Sequence, residues 1–405
     1  MITDGPVDGH DPSQQPSPTA DGAAVRRLRT AVIGTGFVGP HHVDAVRRTG
    51  YADVEIIVGS DRSRTARRAT ELGVGRWSTD VAAVLDDPEI DVVHVCTPNN
   101  THVALASATL EAGKHLVLEK PIAMDRAGAA GLVDLATRSR RHAMVALTYR
   151  GYPMVRRARV AVAAGEVGEV RLIHGGYIQD WLSDPADYNW RVEPEIGGRS
   201  RAVADIGTHW FDTAEFVTGL RVEAVLADFA TLIPTRMRRL GGSVAFSGGE
   251  GPTESVKVQS EDAATILLRF EGGARGACVL SQVSTGRKNA FTLDVDGSLR
   301  SLAWDQELPE HLWLRARDDA RLLVRDPGGV QTDSGVPSLP AGHPEGWGEA
   351  LRDLLRPFYA AVVAGESPSP GDAPYPTLNA GARGIAFVDA AIESSASGSW
   401  VSLDR

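Results

Sequence analysis

The sequence predicts an α/β protein with two parts: a doubly wound parallel sheet, followed by a domain dominated by antiparallel strands. Three observations support this architecture. A chain of 405 residues is longer than one hydrophobic core usually serves. Between residues 28 and 148, short apolar strands alternate with helical stretches. After Val222 the pattern changes to longer strands separated by glycine-containing turns.

Composition disfavours several classes of function. A net charge of −10 does not supply the basic face that nucleic acids or anionic membranes attract. No apolar run approaches the ~20 residues of a membrane span, and residues 1–26 are expected to form a disordered tail without a signal peptide. Cys96 and Cys278 lie in apolar runs, which predicts buried free thiols and a cytoplasmic protein.

The first strand and the loop after it predict a dinucleotide site. Leu28 to Ile33 leads into Gly34-Thr35-Gly36-Phe37-Val38-Gly39, and a helix follows from His41 to Arg48. Between a strand and a helix, such glycines permit a tight turn, a close approach to pyrophosphate and helix packing. We therefore expect a Rossmann domain that holds phosphate at the helix N-terminus. The alternative is a glycine-rich turn in another βα unit.

Asp61 and Arg62 bear on the choice of cofactor. Asp61 follows a second strand and lies about 20 residues after Gly39, the usual spacing for a carboxylate on the adenosine ribose. Its charge would repel a 2′-phosphate, which favours NAD. Arg62 can stack on adenine or meet a 2′-phosphate, so NADP stays open. Asp61 can also cap the next helix, and the two roles can coexist.

The strand Ile90 to Cys96 ends in Thr97-Pro98-Asn99-Asn100, a polar loop that opens a helix. Its asparagines can cap that helix or reach the nicotinamide or ribose, and the sequence does not decide between these roles. His102 lies inside the helix, where a structural hydrogen bond is the simpler interpretation. The adjacent pair His41-His42 lacks further ligands at metal spacing, so we expect packing and capping there and no metal site.

The stretch Glu119-Lys120-Pro121 follows the short apolar strand Leu116 to Leu118. Ligands of open α/β sheets bind at the carboxyl ends of strands, and lone charges are costly in a core. Pro121 restricts the backbone of Lys120, and the bond between them can be cis at modest cost. Lys120 is therefore a candidate catalytic cation, with a solvated strand-end salt bridge as the alternative. A helix from Asp125 to Arg140 and a strand from Ala143 to Thr148 follow.

The second half contains two polar stretches of interest. Trp181 and the run Asp187-Tyr188-Asn189-Trp190-Arg191 combine aromatic and hydrogen-bonding groups, as sugar clefts do; interdomain packing is the alternative. Asp205 and His209 are spaced to share one helix face, so the carboxylate can orient the imidazole and raise its basicity. That arrangement suits a general base. Arg287-Lys288-Asn289 can enter the cleft or cap it.

The remaining pattern predicts an antiparallel sheet and two terminal helices. The expected strands are 170–180, 224–232, 255–270, 274–284, 289–295 and 299–304. We expect helices at 154–164, 347–364 and 378–394, the last packing back on the body, and a mobile glycine-rich segment from Gly241 to Pro252.

Four markers occur in one order: the Gly34–Gly39 loop, Thr97-Pro98-Asn99-Asn100, Glu119-Lys120-Pro121 and Asp205-Ile206-Gly207-Thr208-His209. Together they resemble the glucose–fructose oxidoreductase, inositol dehydrogenase and MocA family. The resemblance implies an NAD-binding Rossmann domain at 27–150. It also implies an α/β domain at 151–405 with a large open, mostly antiparallel sheet, often used for dimer or tetramer contacts.

The resemblance also implies a site. Its catalytic set maps to Lys120, Asp205 and His209. The predicted cofactor-binding residues are Gly34, Gly36, Phe37, Val38, Gly39, Asp61, Arg62, Thr97, Pro98, Asn99, His102, Glu119 and Lys120. The predicted substrate-binding residues are Lys120, Tyr149, Arg150, Trp181, Trp190, Arg191, Asp205, His209 and Lys288.

The expected reaction is NAD(P)-dependent oxidation of a secondary hydroxyl, or reduction of the ketone, on a sugar, anhydrosugar, glycoside or cyclic polyol. His209 would take the hydroxyl proton while Lys120 stabilises the oxygen. Asp205 would orient His209 or position the hydroxyl. The second half, with Gly342-His343-Pro344-Glu345-Gly346-Trp347, is similar to the branch that contains levoglucosan dehydrogenase and related glycoside 3-dehydrogenases. The alternatives are redox-neutral glycoside cleavage or epimerisation through transient C3 oxidation, and a non-catalytic NAD-binding sensor.

Overall fold

The structure is a computed structural model that describes residues 26–240, 252–326, 339–368 and 373–403. The expected tail at residues 1–25 and the glycine-rich stretch at 241–251 lie outside the described residues.

The N-terminal part contains a six-stranded parallel sheet in the order β3-β2-β1-β4-β5-β6, which confirms the predicted doubly wound topology. Its strands are β1 (Leu28–Ile33), β2 (Ala52–Val58), β3 (Arg76–Ser78), β4 (Val92–Val95), β5 (His115–Leu118) and β6 (Ala143–Val145). Its helices are α1 (Val38–Thr49), α2 (Arg62–Glu71), α3 (Ala82–Leu85), α4 (His102–Glu111) and α5 (Arg126–Ser139). The central strands are buried on both faces, which explains their continuous apolar runs.

The second part contains a nine-stranded sheet in the order β16-β15-β14-β13-β7-β12-β11-β8-β17 and a separate hairpin of β9 and β10. The helices are α6 (Pro153–Ala163), α7 (Pro194–Gly197), α8 (Thr208–Thr218), α9 (Trp347–Val363) and α10 (Leu378–Ser397). The strands are β7 (Val170–Ile178), β8 (Val222–Ala230), β9 (Thr235–Arg239), β10 (Thr253–Lys257), β11 (Ala263–Phe270), β12 (Arg275–Ser281), β13 (Ala290–Gly297), β14 (Ser301–Asp305), β15 (His311–Arg315), β16 (Ala320–Val324) and β17 (Val401–Ser402).

Within this sheet β7 and β12 run parallel, and the other described neighbours are antiparallel.

The sequence prediction of a single strand over 255–270 is wrong, because the chain leaves the hairpin of β9 and β10 and enters the nine-stranded sheet there. The break contains Glu261 and Asp262, which are buried. Asp262 pairs with Arg201 and Arg236, which also have no exposed surface in their side chains. Charged side chains that need such partners interrupt the strand pattern.

Both terminal helices pack on the parallel sheet. Val32 and Ile33 of β1 point to opposite faces, as successive strand residues must. The face of Val32 is covered by α1 and by Phe358 of α9. The face of Ile33 is covered by α5 and by Ile385 of α10. The chain thus returns to its first sheet after building the second one.

The carboxyl ends of the parallel strands face the second part of the chain. Loops after β1, β4 and β5 carry the glycine loop, Thr97 and Lys120, and α7 and α8 lie opposite them. Cys96 and Cys278 are free and buried. Among the described helices, none combines the length and the hydropathy that a membrane span requires.

Candidate active site

The glycine loop has the shape of a phosphate cradle. Gly34 has a φ of 115°, and a Cβ there would lie 2.3 Å from the carbonyl oxygen of Cys96. A Cβ on Gly39 would lie 2.0 Å from the carbonyl oxygen of Gly34. At Gly36 no described atom lies within 4 Å of such a Cβ. Two glycines are therefore required by packing, and the third opens space at the start of α1, which fits a bound pyrophosphate.

Asp61 and Arg62, the residues predicted to contact the ribose and adenine, follow the end of β2. Asp61 caps α2, because its Oδ1 accepts hydrogen bonds from Arg64 N at 2.7 Å and Ser63 Oγ at 2.8 Å. These bonds lower the pKa of Asp61. The guanidinium of Arg62 lies 5.2 Å from the ring centre of Trp77. The capping role is observed, and the ribose role stays a prediction.

The loop after β4 makes structural contacts. Asn99 Nδ2 donates to Gly197 O at 2.9 Å, which links the loop to α7. The ring nitrogens of His102 lie 2.8 Å from Thr97 O and 2.7 Å from Pro121 O. His102 therefore joins the loops after β4 and β5 and has no ring nitrogen left for a cofactor. Of its two interpretations, the structural one fits.

Other loop residues predicted to bind cofactor occupy the same edge. Phe37 is 56% exposed, and its ring packs edge-on against His41 with centroids 5.1 Å apart. Val38 is the first residue of α1. Pro98 precedes the short 3-10 turn Asn99–Thr101. These positions line the opening between the first and fourth strands, where cofactor contact stays a prediction.

Lys120 lies at the junction of the two parts of the chain. Its Nζ donates to Asp205 Oδ1 at 2.7 Å and to Asp205 O at 2.8 Å. Its backbone N donates to Glu119 Oε2 at 3.2 Å, and the Lys120–Pro121 bond is cis. The lysine is therefore a partly buried cation held by a residue from the second part.

Asp205 is the centre of a charged cluster. Besides Lys120, it accepts from Arg191 Nε at 3.2 Å, and its Oδ2 accepts from Gln282 Nε2 at 2.8 Å. Burial would raise the pKa of Asp205, but the charges of Arg191 and Lys120 hold it well below its usual range. Asp205 is thus a carboxylate at any working pH. Gln282 was missed by sequence reasoning, since an isolated glutamine after a strand carries no signal.

Among the described residues, no hydrogen bond joins Asp205 to His209, although the sequence predicts that Asp205 orients His209 or positions the hydroxyl. Asp205 lies in the π-helix Val203–Gly207, which precedes α8 and breaks the regular helical spacing on which the expectation depended. Its carboxylate is used by Lys120, Arg191 and Gln282 instead. Asp205 acts on His209 through its charge only.

His209 is a neutral acceptor beside this cluster. Burial and the charge of Lys120 lower the pKa of His209 to about 3. Its Nδ1 is buried and has no hydrogen-bond partner among the described residues. The ring packs edge-on against Tyr149, with centroids 5.1 Å apart. An uncharged imidazole has one nitrogen without a proton, and that nitrogen is able to accept a proton from a ligand.

A polar and aromatic wall adjoins His209. Tyr149 is buried, and its hydroxyl donates to Tyr177 at 2.7 Å. Tyr177 in turn donates to Asn289 Oδ1 at 2.7 Å, and Gln179 Nε2 donates to the same oxygen at 2.8 Å. Trp181 Nε1 donates to Gln179 Oε1 at 3.0 Å. Tyr177 and Gln179 were not predicted, because strand and turn residues far apart in sequence meet here. Asn289 belongs to the run Arg287-Lys288-Asn289, for which entering the cleft was one of two alternatives.

The other predicted substrate contacts divide into two groups. Arg191 lies 4.5 Å above the ring of Trp190 and reaches Asp205, so both belong to the cluster. Arg150 instead pairs with Asp212 at 2.8 Å and lies over Phe216. Its guanidinium therefore has a structural role that the sequence did not indicate.

Lys288 lies at the rim of the wall. Its side chain is 78% exposed, and its Nζ donates to Asp180 at 2.7 Å. Lys288 therefore forms a solvated ion pair, and its contact with a substrate stays a prediction. Its neighbour Asn289 is the residue of that stretch that faces inward.

Comparison with known proteins places the chain in a family. Residues 28–147 match an oxidoreductase family model with an NAD-binding Rossmann fold, and residues 155–303 match the GFO/IDH/MocA C-terminal domain. The 1,5-anhydro-D-fructose reductase of Ensifer adhaerens is 34% identical over 295 residues, covering 69% of this chain and 82% of that protein.

Similarity to one group of relatives extends over nearly the whole chain. Levoglucosan dehydrogenase of Pseudarthrobacter phenanthrenivorans is 31% identical over 406 residues, covering 94% of this chain and 99% of that protein. A solved levoglucosan dehydrogenase with NADH and levoglucosan superposes with a TM-score of 0.83 at 28% identity, over 94% of this chain and 100% of that one. This chain therefore belongs to the GFO/IDH/MocA family of NAD-binding oxidoreductases.

Proposed function

We propose that this protein is an NAD-dependent dehydrogenase that oxidises a secondary hydroxyl of a sugar, anhydrosugar, glycoside or cyclic polyol. One observation supports it above all: the cation of Lys120 and the neutral imidazole of His209 belong to one buried cluster at the carboxyl edge of the parallel sheet. The similarity to levoglucosan dehydrogenase and 1,5-anhydro-D-fructose reductase favours a cyclic carbohydrate as substrate.

Each side chain has a chemical task in this proposal. NAD, held at the Gly34–Gly39 loop, accepts hydride from the carbinol carbon. The imidazole of His209 accepts the hydroxyl proton, and Lys120 Nζ donates to the oxygen as negative charge develops on it. Asp205 holds Lys120 in place, because its carboxylate pairs with the lysine at 2.7 Å and is itself fixed by two further donors.

The wall beside His209 suits hydroxyl recognition. Asn289, Gln179 and Arg191 offer amide and guanidinium groups next to the aromatic faces of Tyr177 and Trp190. Sugar hydroxyls bind to such donors and acceptors, while ring C–H groups pack on aromatic faces. We include NAD rather than NADP in the proposal, because the carboxylate of Asp61 would repel a 2′-phosphate.

A substrate screen tests this function. Purified protein is incubated with monosaccharides, anhydrosugars, inositols and glycosides, with NAD and NADP in parallel, and reduced cofactor is recorded. We expect turnover of at least one cyclic carbohydrate with NAD. Lys120→Ala and His209→Ala should each lower kcat by about 10²- to 10⁴-fold, the usual contribution of such groups. Lys257→Ala, at an exposed strand position, should leave kcat unchanged.

Two results would contradict the proposal. If both site variants keep near wild-type rates of hydride transfer, the assigned chemistry is wrong. If products accumulate without net NADH, the enzyme is redox-neutral instead. Thermal unfolding of each variant shows whether a loss of rate reflects a loss of fold.

We also propose that the protein forms a homodimer or homotetramer through the outer face of its nine-stranded sheet. That face exposes large apolar side chains, which monomers seldom leave in contact with water. They include Leu172, Leu267, Val279, Trp313 and Leu322. Light scattering should give a multiple of the chain mass, and Leu267→Asp should lower it. A wild-type monomer at micromolar concentration would rule out this assembly.

The compartment is the last part of the proposal. Cys96 and Cys278 are both reduced and buried, which suits the cytoplasm.

A further inference from the structure

Five buried polar side chains form a continuous chain beneath the candidate active site, and we call it the buried relay. His42 Nε2 lies 3.0 Å from Glu119 Oε1, and His42 Nδ1 lies 2.8 Å from His94 Nδ1. His94 Nε2 lies 2.8 Å from the hydroxyl of Tyr359, which lies 2.9 Å from Thr30 Oγ1. Glu119 is 9% exposed, and the other four are 0% exposed. The relay connects side chains of α1, β4, α9 and β1 with Glu119, which follows β5 and is the neighbour of Lys120 in the chain.

The end of the relay at Glu119 has a defined hydrogen-bond direction. Burial holds the pKa of His94 well below its usual range, so its ring is neutral and has one N–H. An ionised Glu119 only accepts, and therefore His42 Nε2–H must donate to it. His94 has its one N–H for two contacts, with His42 Nδ1 and with the hydroxyl of Tyr359, and Thr30 lies at the far end. The bond to Glu119 has the same direction whichever nitrogen of His94 carries that proton.

The relay is not a path for protons to water. It ends at Thr30 in the middle of β1, with no exposed surface. A proton that entered at Glu119 would have no exit at the other end. The series of hydrogen bonds therefore acts on the carboxylate of Glu119, since hydrogen bonds in a line polarise one another in a low dielectric.

Glu119 is the residue of the relay that interacts electrostatically with the candidate catalytic groups Lys120 and His209. Burial would raise the pKa of Glu119, but the hydrogen bond from His42 and the charge of Lys120 hold it below its ordinary value. The charge of Glu119 in turn raises the pKa of His209, against the opposing effect of Lys120. The titratable groups that act on Glu119 from the surrounding elements are His42, Lys120, His209, Cys96 and His102.

We propose that His42 and His94 are positioning residues: they hold buried Glu119 as a fixed anion beside Lys120 and His209, and so sustain proton transfer at His209. The catalytic half of this inference rests on the proposed dehydrogenase function. The ionisation of Glu119 does not, because it is a property of the folded chain alone.

The first test is the pH profile of kcat. In the wild type we expect no fall attributable to Glu119 above pH 5, since its pKa lies below the ordinary 4.5. In His42→Leu the buried carboxyl loses its donor and its pKa rises. In His42→Leu, kcat should then fall about tenfold as pH decreases through the raised pKa of Glu119. A tenfold loss is part of the usual contribution of a general base. Glu119→Gln should be slow at every pH and lack this fall.

Matched variants separate positioning from simple packing. His42→Gln keeps an N–H near the position of Nε2, and it should restore the wild-type profile. His94→Leu removes only the hydrogen-bond partner of His42 and leaves the bond to Glu119, so it should shift the profile in the same direction by less than His42→Leu. If His42→Leu and His42→Gln lose equal activity with unchanged profiles, the histidine matters for packing alone and the proposal is wrong.

The second test needs no substrate. Infrared absorption reports the stretch of a protonated carboxyl directly. His42→Leu near neutral pH should show such a band, the wild type should lack it, and His42→Leu/Glu119→Gln should lose it again. If His42→Leu shows no such band, the relay does not maintain the anion. This outcome is independent of whether any sugar is turned over, so failure of the relay and failure of the dehydrogenase proposal remain distinguishable.

Discussion

At the residue scale, His209 shows how surroundings determine chemistry. The sequence indicated a histidine made more basic by a carboxylate one turn away. The charge of Asp205 does act in that direction, but burial and Lys120 outweigh it and the pKa falls to about 3. His209 is therefore uncharged across the working pH range, ready to accept a proton without first losing one.

This shift predicts how stability depends on pH. The pKa of His209 is about 3 in the folded state, against 6.5 for an ordinary histidine. Between these values the unfolded chain binds more protons, so stability falls as pH decreases below 6.5. At pH 5 the loss is on the order of 2 kcal/mol, from about 1.4 kcal/mol per pH unit. Urea unfolding at pH 7 and pH 5 measures it.

The control for that measurement is a matched histidine substitution. His209→Gln should lessen the stability difference between the two pH values, because the replacement does not titrate. His343→Gln changes an exposed histidine and should leave the difference as it is. An unchanged difference in His209→Gln would mean that His209 is protonated in the folded protein.

At the element scale, the β1–loop–α1 unit assigns separate tasks to its glycines. Gly39 packs against the turn itself, whereas Gly36 leaves open the space that a pyrophosphate would fill. The sequence predicted this unit because the loop lies between an apolar strand and a helix. It did not predict the π-helix Val203–Gly207, which has no recognisable sequence pattern.

The separate tasks of Gly36 and Gly39 predict that alanine has different effects at the two positions. Gly36→Ala should keep the stability of the wild type but weaken NADH binding at least tenfold, about 1.4 kcal/mol, because its Cβ enters the phosphate space. Gly39→Ala should lower the free energy of unfolding by about 1–3 kcal/mol, because its Cβ meets Gly34 O. Fluorescence titration measures the affinity for NADH, and thermal unfolding measures the stability of each variant. Equal effects of both variants on binding and stability would contradict the assignment.

At the scale of the whole molecule, the two parts of the chain are built into each other. Helices α9 and α10 follow the second sheet in sequence but cover opposite faces of the first one. The carboxyl edge of that first sheet then meets Asp205 and Gln282 from the second part. The active-site cluster therefore exists only when both parts are folded.

This arrangement predicts that a change in α9 affects the N-terminal sheet. Phe358 has no exposed surface and packs with Val32 and Val43. Phe358→Ala should cost about 3–5 kcal/mol of unfolding free energy and weaken NADH binding. Leu308→Ala, at an exposed position, should do neither. Denaturant unfolding should give one transition, at the same denaturant concentration by circular dichroism and by NADH fluorescence. Two separate transitions would mean that the two parts of the chain unfold independently.

The sequence predicted more of the fold than of the site. Strand and helix periodicities are local, so five of the six parallel strands and several later strands could be predicted directly. The strands missed are β3, β9, β15, β16 and β17. The strands β10 and β11 were merged, because buried Glu261 and Asp262 find their partners Arg201 and Arg236 only through tertiary packing.

The sequence alone determined the glycine loop, the doubly wound sheet and the position of Lys120 at the end of β5, since each depends on residues close together in the chain. Only the tertiary structure decided which groups Lys120 and Asp205 bind, and that His42 and His94 continue from Glu119 into the core. These contacts join residues far apart in the chain. They are decided by where sheets and helices pack, and by the cost of leaving a buried charge without a partner.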